Sequence, residues 1–342
     1  MASFVCTTNS LDSVPEGTVA LSVTGGMPFS LPDYLPIPKS VTSLTIDDPR
    51  FSWESKLPDQ ILNLTLIGLI DPGKTPRLPP KLKRLTVRDS NVAYLGPFPA
   101  SLQVLVLNLC ERIAVIKPLP PVMTLVEIAY CHRLDDFSFL PSERMGRLTL
   151  SGLSGLRRLT PGQTEVEHLT LKGCEYVTSL GGINVTGSLR VEYANAAIVL
   201  KTLTYPVESL ELSGGWIDHD QVPATVKHLS LDECRFSSSA LPATLESLTL
   251  SNCSVSSLHG FPEDLIKLKL SRMKRLHSYE GLPRFLQHIT IRKVRKPRDF
   301  PRLRHLLSAE LDYVMTKDGT EYTGGSQYLE DSKCRAKSAR SD

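Results

Sequence analysis

Four segments far apart in the chain overlay in one frame: LPPKLKRLTVRDS from Leu78, FPASLQVLVLNLC from Phe98, LPATLESLTLSNC from Leu241 and FPEDLIKLKLSRM from Phe261. The shared pattern is apolar-Pro-x-x-L-x-x-L-x-L-x-x-C. Taking the last apolar residue of each L-x-L core as a marker gives Val23, Ile46, Leu66, Val87, Leu107, Ile128, Leu150, Leu171, Val191, Leu212, Leu231, Leu250, Leu270, Ile291 and Leu311. These fifteen markers span 288 residues in fourteen steps, 20.6 residues per step. A repeat of this length constrains the fold more than any other property. Each unit is one supersecondary element that cannot bury its apolar face alone, so the units must stack and share a core.

A turn of this length holds one short strand and a return segment. The alternation at Leu248 and Leu250 predicts a strand of about five residues, apolar on one face. The return segment is too short and too rich in proline for a long helix. Proline recurs at the bend, at Pro58, Pro79, Pro99, Pro223, Pro242, Pro262 and Pro283, where a fixed φ and a missing N–H are tolerated. The expected fold is therefore β-rich: a single parallel β-solenoid of about 15 turns, with an extended or polyproline-like convex side and few helices.

The frame L-x-x-L-x-L-x-x-C/N resembles the leucine-rich-repeat signature, which belongs to the α/β leucine-rich-repeat class of horseshoe folds, and here it covers residues 18–314. Within that superfamily the short period with LPxxL is similar to the repeats of bacterial type III secreted effectors, and second to FNIP-type repeats. The resemblance implies a binding scaffold rather than an enzyme. The effectors that are ubiquitin ligases carry a Cys-x-Asp motif in a separate domain, and no cysteine of this chain has that spacing.

Five of the seven cysteines, Cys110, Cys131, Cys174, Cys234 and Cys253, share one repeat position three residues after the marker. That position turns inward beneath the strand, where a small apolar side chain with a weak S–H donor can satisfy backbone carbonyls of the bend. Converging C-x-x-C or Cys/His spacings suited to a metal are absent. Neighbouring-turn pairs such as Cys110/Cys131 and Cys234/Cys253 lie within disulfide range, whereas Cys174 has no ladder neighbour, which points to a reducing compartment.

No nucleophile elbow, phosphate-cradling loop or H-E-x-x-H is present. The nearest imitation, Gly152-Leu153-Ser154-Gly155, has the wrong spacing. Asp218-His219-Asp220 reads as a solvated turn, and the N-x-S/T triplets at Asn63, Asn184 and Asn252 as incidental. No catalytic, metal-binding or cofactor-binding residue is assigned, and no cofactor is expected. The N-terminus MASFVCTTNSLDSVPEG has neither a basic leader nor an apolar run of signal-peptide length, and no apolar run approaches the roughly 20 residues of a membrane span. The expected location is cytoplasmic, with the nucleus or delivery into a host as alternatives.

Residues between and just after the leucines point away from the core and line the concave face. Between the last two apolar residues threonine dominates, as at Thr45, Thr65, Thr86, Thr149, Thr170, Thr249 and Thr290, because a β-branched side chain packs well against cross-strand neighbours. The departures from threonine are the candidate contacts. Charge adds a second signal: residues 205–264 contain nine acidic and two basic residues, whereas 265–305 contain thirteen basic and two acidic. Lys267, Lys269 and Arg292 fall at concave positions, and Arg295, Lys296, Arg298, Arg302 and Arg304 on the following bends. The partner-binding residues are accordingly Glu127, Arg190, Glu211, Lys267, Lys269 and Arg292. His168, His228 and His288 recur at one concave position on turns too far apart to share a metal.

The expected function is a protein–protein scaffold binding on its concave face. The alternatives are a substrate-receptor subunit of a ubiquitin ligase, and a binder of nucleic acid or anionic membrane through the basic segment 265–305. An aromatic content of only 6%, not interleaved with the basic residues, weighs against a base-stacking platform. Domain boundaries are expected at 1–17 for an N-terminal extension or cap, 18–314 for the solenoid, 313–323 for a capping hairpin around Asp318-Gly319, and 324–342 for a disordered tail.

Overall fold

The computed structural model describes residues 3–25, 37–49, 56–70, 77–159, 164–194, 196–201, 203, 206–217, 222–237, 241–295, 308–317 and 320–325; from Arg295 onward only backbone pairing is described. The expected positions Asp218, His219, Asp220, Lys296, Arg298, Arg302, Arg304, Asp318, Gly319 and Cys334, and residues 326–342, lie outside the described residues. The chain divides into two compact units, Met1–Thr186 and Gly187–Asp342.

The first unit is a ladder of parallel strands: β1 (Ser3–Thr7), β2 (Ala20–Thr24), β3 (Ser43–Asp47), β4 (Asn63–Ile67), β5 (Arg84–Arg88), then after the short β6 (Tyr94–Leu95) comes β7 (Val104–Asn108), and after the short β8 (Val115–Ile116) come β9 (Val122–Ala129), β10 (Arg144–Ser151) and β11 (Thr164–Lys172). The markers are one another's register partners from turn to turn: Val23 opposite Ile46, then Leu66, Val87, Leu107, Ile128, Leu150 and Leu171. β6 and β8 pair with each other on the return side. The next strand along the chain is β12 (Ile183–Glu192).

In the second unit, the end of β12 pairs with β13 (Ser209–Ile217), followed by β14 (His228–Phe236), β15 (Ser247–Ser251), β16 (Lys267–Ser271), β17 (His288–Arg295) and β18 (Ser308–Lys317), all parallel. The markers again pair in sequence, from Val191 through Leu212, Leu231, Leu250, Leu270 and Ile291 to Leu311. β19 (Thr320–Gly325) folds back antiparallel on β18, Lys317 opposite Thr320 and Asp312 opposite Gly325. It runs two residues past the expected hairpin end at 323. The only helices among the described residues are a 3-10 turn (Thr8–Ser13) and a six-residue α1 (Ala196–Lys201). Among the described residues no helix is long and apolar enough to cross a membrane.

Packing follows the alternation. Every marker from Val23 to Ile291 is buried, as is the apolar residue two positions before it. Each fully buried leucine contributes on the order of 1.5–3 kcal/mol, against about 1–2 kcal/mol of backbone entropy per residue fixed. The prolines close the bends. The carbonyls of Pro38, Pro58, Pro79, Pro99, Pro223, Pro242 and Pro262 each accept the N–H of the apolar residue three positions on, at 3.0–3.4 Å. Proline thus supplies an acceptor and a preset φ at a corner where its own missing N–H costs nothing.

Two features depart from expectation. The ladder begins one strand earlier than the repeat frame: β1 lies beside β2 with Cys6 opposite Val23. The step between them is 17 residues and the return is a 3-10 turn, so neither spacing nor the L-x-L core reveals it. Strands β9 to β14 are also eight to ten residues long rather than five. Their extra pairs, such as Arg144 with Val122 and Trp216 with Arg235, continue the ladder into the bends; Arg295, expected on a bend, is likewise the last residue of β17.

Candidate functional site

The strand face opposite the core is built by the same alternation. At the residue two after the marker the backbone turns left-handed: φ lies between 49° and 54° at Asp89, Leu109, Tyr130, Tyr193, Glu233, Asn252, Arg272 and Lys293, and between 57° and 75° at Gly68, Gly152, Gly173 and Gly214. For a tyrosine or leucine this region is disfavoured. What holds it is a second ladder. The N–H of that residue donates to the carbonyl of the residue just after the marker on the next turn, as from Leu109 to Ala129 (3.0 Å), Tyr130 to Ser151 (2.9 Å) and Arg272 to Arg292 (2.9 Å).

This reversal throws the next residue inward, and that residue is the cysteine. The six described cysteines are buried and free. Cys174 Sγ donates toward the carbonyls of Leu150 and Lys172 (both 3.5 Å), and Cys253 Sγ toward Leu231 (3.4 Å) and Ser251 (3.3 Å). Ser90 holds the same position with an oxygen: its hydroxyl donates to the Arg88 carbonyl at 2.6 Å and accepts the Leu69 N–H at 3.1 Å. The cysteine row is thus a structural ladder of weak donors. Burial pushes the Cys174 and Cys253 thiols up, and the Cys234 thiol to about 12. The neighbouring Cys110 sulfur, then burial, pushes Cys131 up as well.

The six candidate contact residues all lie on the outward face. Glu127 is half-buried between its register partners Val106 and Thr149. Arg190 and Glu211 are adjacent in register and exposed, and they are each other's partners: Arg190 Nη1 lies 3.2 Å from Glu211 Oε2. The same guanidinium also pairs with Glu192 on its own strand. Lys267 and Lys269 stand exposed on β16. Their register partners are uncharged for Lys269, Thr249 and Thr290, and are Ser247 and His288 for Lys267. Arg292 is exposed one strand away, opposite Ser271 and Asp312. Lys267, Lys269 and Arg292 therefore form one group, Arg190 and Glu211 another, and Glu127 stands in the first unit.

The row between the leucines is not the whole outward face. Arg84, Arg88, Arg147 and Lys172 are exposed in the first unit at other outward positions of the same frame. Leu109, Tyr130 and Tyr193 are exposed at the left-handed position, and Trp216 two residues beyond it. The signal that could have found all but Trp216 is the frame itself, extended to three before and one or two after the marker; Trp216 lies four after it. Tyr130 also occupies its neighbour's side-chain space: a Cβ on Gly152 would come within 2.6 Å of the tyrosine ring.

Ser154 Oγ and His132 Nδ1 lie 3.2 Å apart on neighbouring turns, both exposed, so water competes for the contact. Among the described residues no group of three or more His, Cys, Asp or Glu is arranged to hold a metal. His168 approaches Glu167 at 3.7 Å, while His228 lies between Ser209 and Ser247 in register.

The chain matches no protein-family model and no curated protein. Among solved structures it is similar to a leucine-rich-repeat protein of Leptospira interrogans, at 14% identity over 85% of this chain and 94% of that chain, with a TM-score of 0.30. The period, the L-x-L core and the parallel ladder make the chain a β-rich repeat protein with a parallel solenoid sheet.

Proposed function

We propose that this chain is a non-catalytic protein-interaction scaffold that docks its partner on the outward strand face. One observation carries the reading. Ladder packing asks only for a small or β-branched residue between the paired leucines, yet Arg190, Glu211 and Lys269 are charged and exposed there. Side chains of this kind on a hydrogen-bonded ladder are positioned before a partner arrives, which lowers the ordering cost of binding. The inward thiol row favours a reducing compartment, the cytoplasm in this reading. The recurring LPxxL frame favours the effector type of repeat over the FNIP type.

The test is capture from an extract of the native source by three forms of the chain: wild type, Glu127→Lys with Lys269→Glu on the strand face, and Lys81→Glu with Glu143→Lys on the bends. The expected result is a protein held by the wild type and the bend variant and lost from the face variant. Equal capture by the face variant sinks the proposal. A second reading, an anionic membrane or nucleic acid held by residues 265–305, is favoured by the placement of Lys267, Lys269 and Arg292 on adjacent strands. Salt-sensitive binding to acidic liposomes or RNA is its test.

A further inference from the structure

We propose that the outward face of β13 to β17 docks on the same face of a second copy of this chain, through two oppositely charged zones separated by a neutral strand. The inference rests on reading the strand face as a docking surface, and it names the occupant.

The basic zone centres on β16. Lys267 and Lys269 are exposed there, and Arg272 follows at the left-handed position, also exposed. Lys267 lies between Ser247 and His288 in register, and Lys269 between Thr249 and Thr290, so neither lysine faces a carboxylate on β15 or β17. The acidic zone lies on β13 and β14. Glu233 is exposed, Glu211 is exposed with one oxygen 3.2 Å from Arg190 Nη1 of β12, and Asp232 is half-buried with one carboxylate oxygen accepting from Asn252 Nδ2 at 3.1 Å. Between the zones, β15 presents Ser247, Thr249 and Ser251, small and uncharged, which permits close approach of another surface.

The spacing makes the face self-complementary. Neighbouring strands are about 4.8 Å apart, so β14 and β16 lie about 10 Å apart on either side of β15. Consider a two-fold axis parallel to β15, in the plane between two facing sheets. It carries β14 of one copy over β16 of the other, and β13 over β17. Each acidic zone then meets a basic zone, and the contact is used twice, as an isologous interface requires. A foreign partner has to reproduce this charge order and spacing; a second copy has both by symmetry. The attraction is between exposed charges, so it must weaken steeply as the Debye length falls from about 30 Å at 0.01 M salt to about 8 Å at 0.15 M.

The experiment is sedimentation velocity on the purified full chain, up to about 200 μM, in about 20 mM and about 500 mM salt. Two charge-reversal variants are compared: Lys267→Glu/Lys269→Glu/Arg272→Glu, and Glu211→Lys/Glu233→Lys. Every substituted side chain is exposed, and a melting curve shows that each variant is folded. The wild type is expected to dimerise at low salt and dissociate at high salt. Each variant alone raises the dimer Kd at least about tenfold, since its two zones then carry like charge. Mixing the two variants restores dimers, because every zone of one now faces an opposite zone of the other. A wild type that stays monomeric at low salt, variants that dimerise as the wild type does, or a mixture no better than its components each overturns the proposal. If the wild type is monomeric but binds poly-glutamate, and the lysine-arginine variant does not, the occupant is a foreign acidic segment and self-docking falls. Only purified chain is present, so failure here is separable from failure of extract capture; loss of both sinks the docking-surface reading itself.

Discussion

Leu150→Ala tests the ladder of the first unit at a strand paired on both sides. Leu150 is fully buried on β10, with Ile128 and Leu171 as register partners on either side. Both neighbours are held by their own ladder bonds, so the site cannot collapse around the missing atoms. The cost should fall in the range of about 3–5 kcal/mol found for buried leucines that leave a cavity. In a solenoid each turn contacts only its neighbours, so the loss is local rather than shared by the whole unit. At 1.36 kcal/mol per factor of ten, amides of β9, β10 and β11 should exchange with deuterium roughly 10²- to 5 × 10³-fold faster. Thr149→Ala is the control. It removes an outward, half-exposed side chain from the same strand and should cost less than about 1 kcal/mol, or about fivefold in exchange. Native-state hydrogen exchange read by mass spectrometry separates the two. Equal acceleration by both variants would refute the assignment of inward and outward faces. Acceleration of β2 to β4 as large as that of β9 to β11 would refute the nearest-neighbour argument.

Three further outcomes are expected. Thiol titration of denatured, unreduced protein should find most of the seven cysteines free; six that react only after reduction would contradict the inward ladder of thiols and the reducing compartment. Gly152→Ala should destabilise by about 1–2 kcal/mol in urea melts, because φ is +59° and the added Cβ meets the Tyr130 ring at 2.6 Å. In a Tyr130→Ala background the steric part should vanish, and an undiminished penalty would assign the whole cost to the backbone. The Cys234 thiol is raised from 9.0 to about 12 by burial, so its contribution to stability is present below the unfolded pKa near 9 and lost as pH rises toward 12. The urea midpoint of the wild type should therefore fall more steeply across that window than that of Cys234→Ser, and identical slopes would remove the thiol from the account.

The repeating part of this molecule was legible in one dimension. Leucines two residues apart define which face of a strand is buried, because side chains alternate across a sheet, and their recurrence every 20.6 residues places each strand beside the next. Proline at the corner and cysteine three residues after the marker carry their own local chemistry, an acceptor with a preset φ and a small inward donor, and both stand where the frame put them. Features that depend on what lies on the neighbouring turn were decided only in three dimensions. Arg190 and Glu211 read as two independent contacts, yet register makes them partners 3.2 Å apart. Leucine and tyrosine at a left-handed φ contradict local preference and persist because the next turn's carbonyl receives their N–H. β1 was hidden because a 17-residue step with cysteine in place of leucine breaks the period while still satisfying the backbone of β2. In each case a hydrogen bond or charge from an adjacent turn outweighs the intrinsic preference of the residue, and such a contact is fixed by register across the ladder rather than by position along the chain.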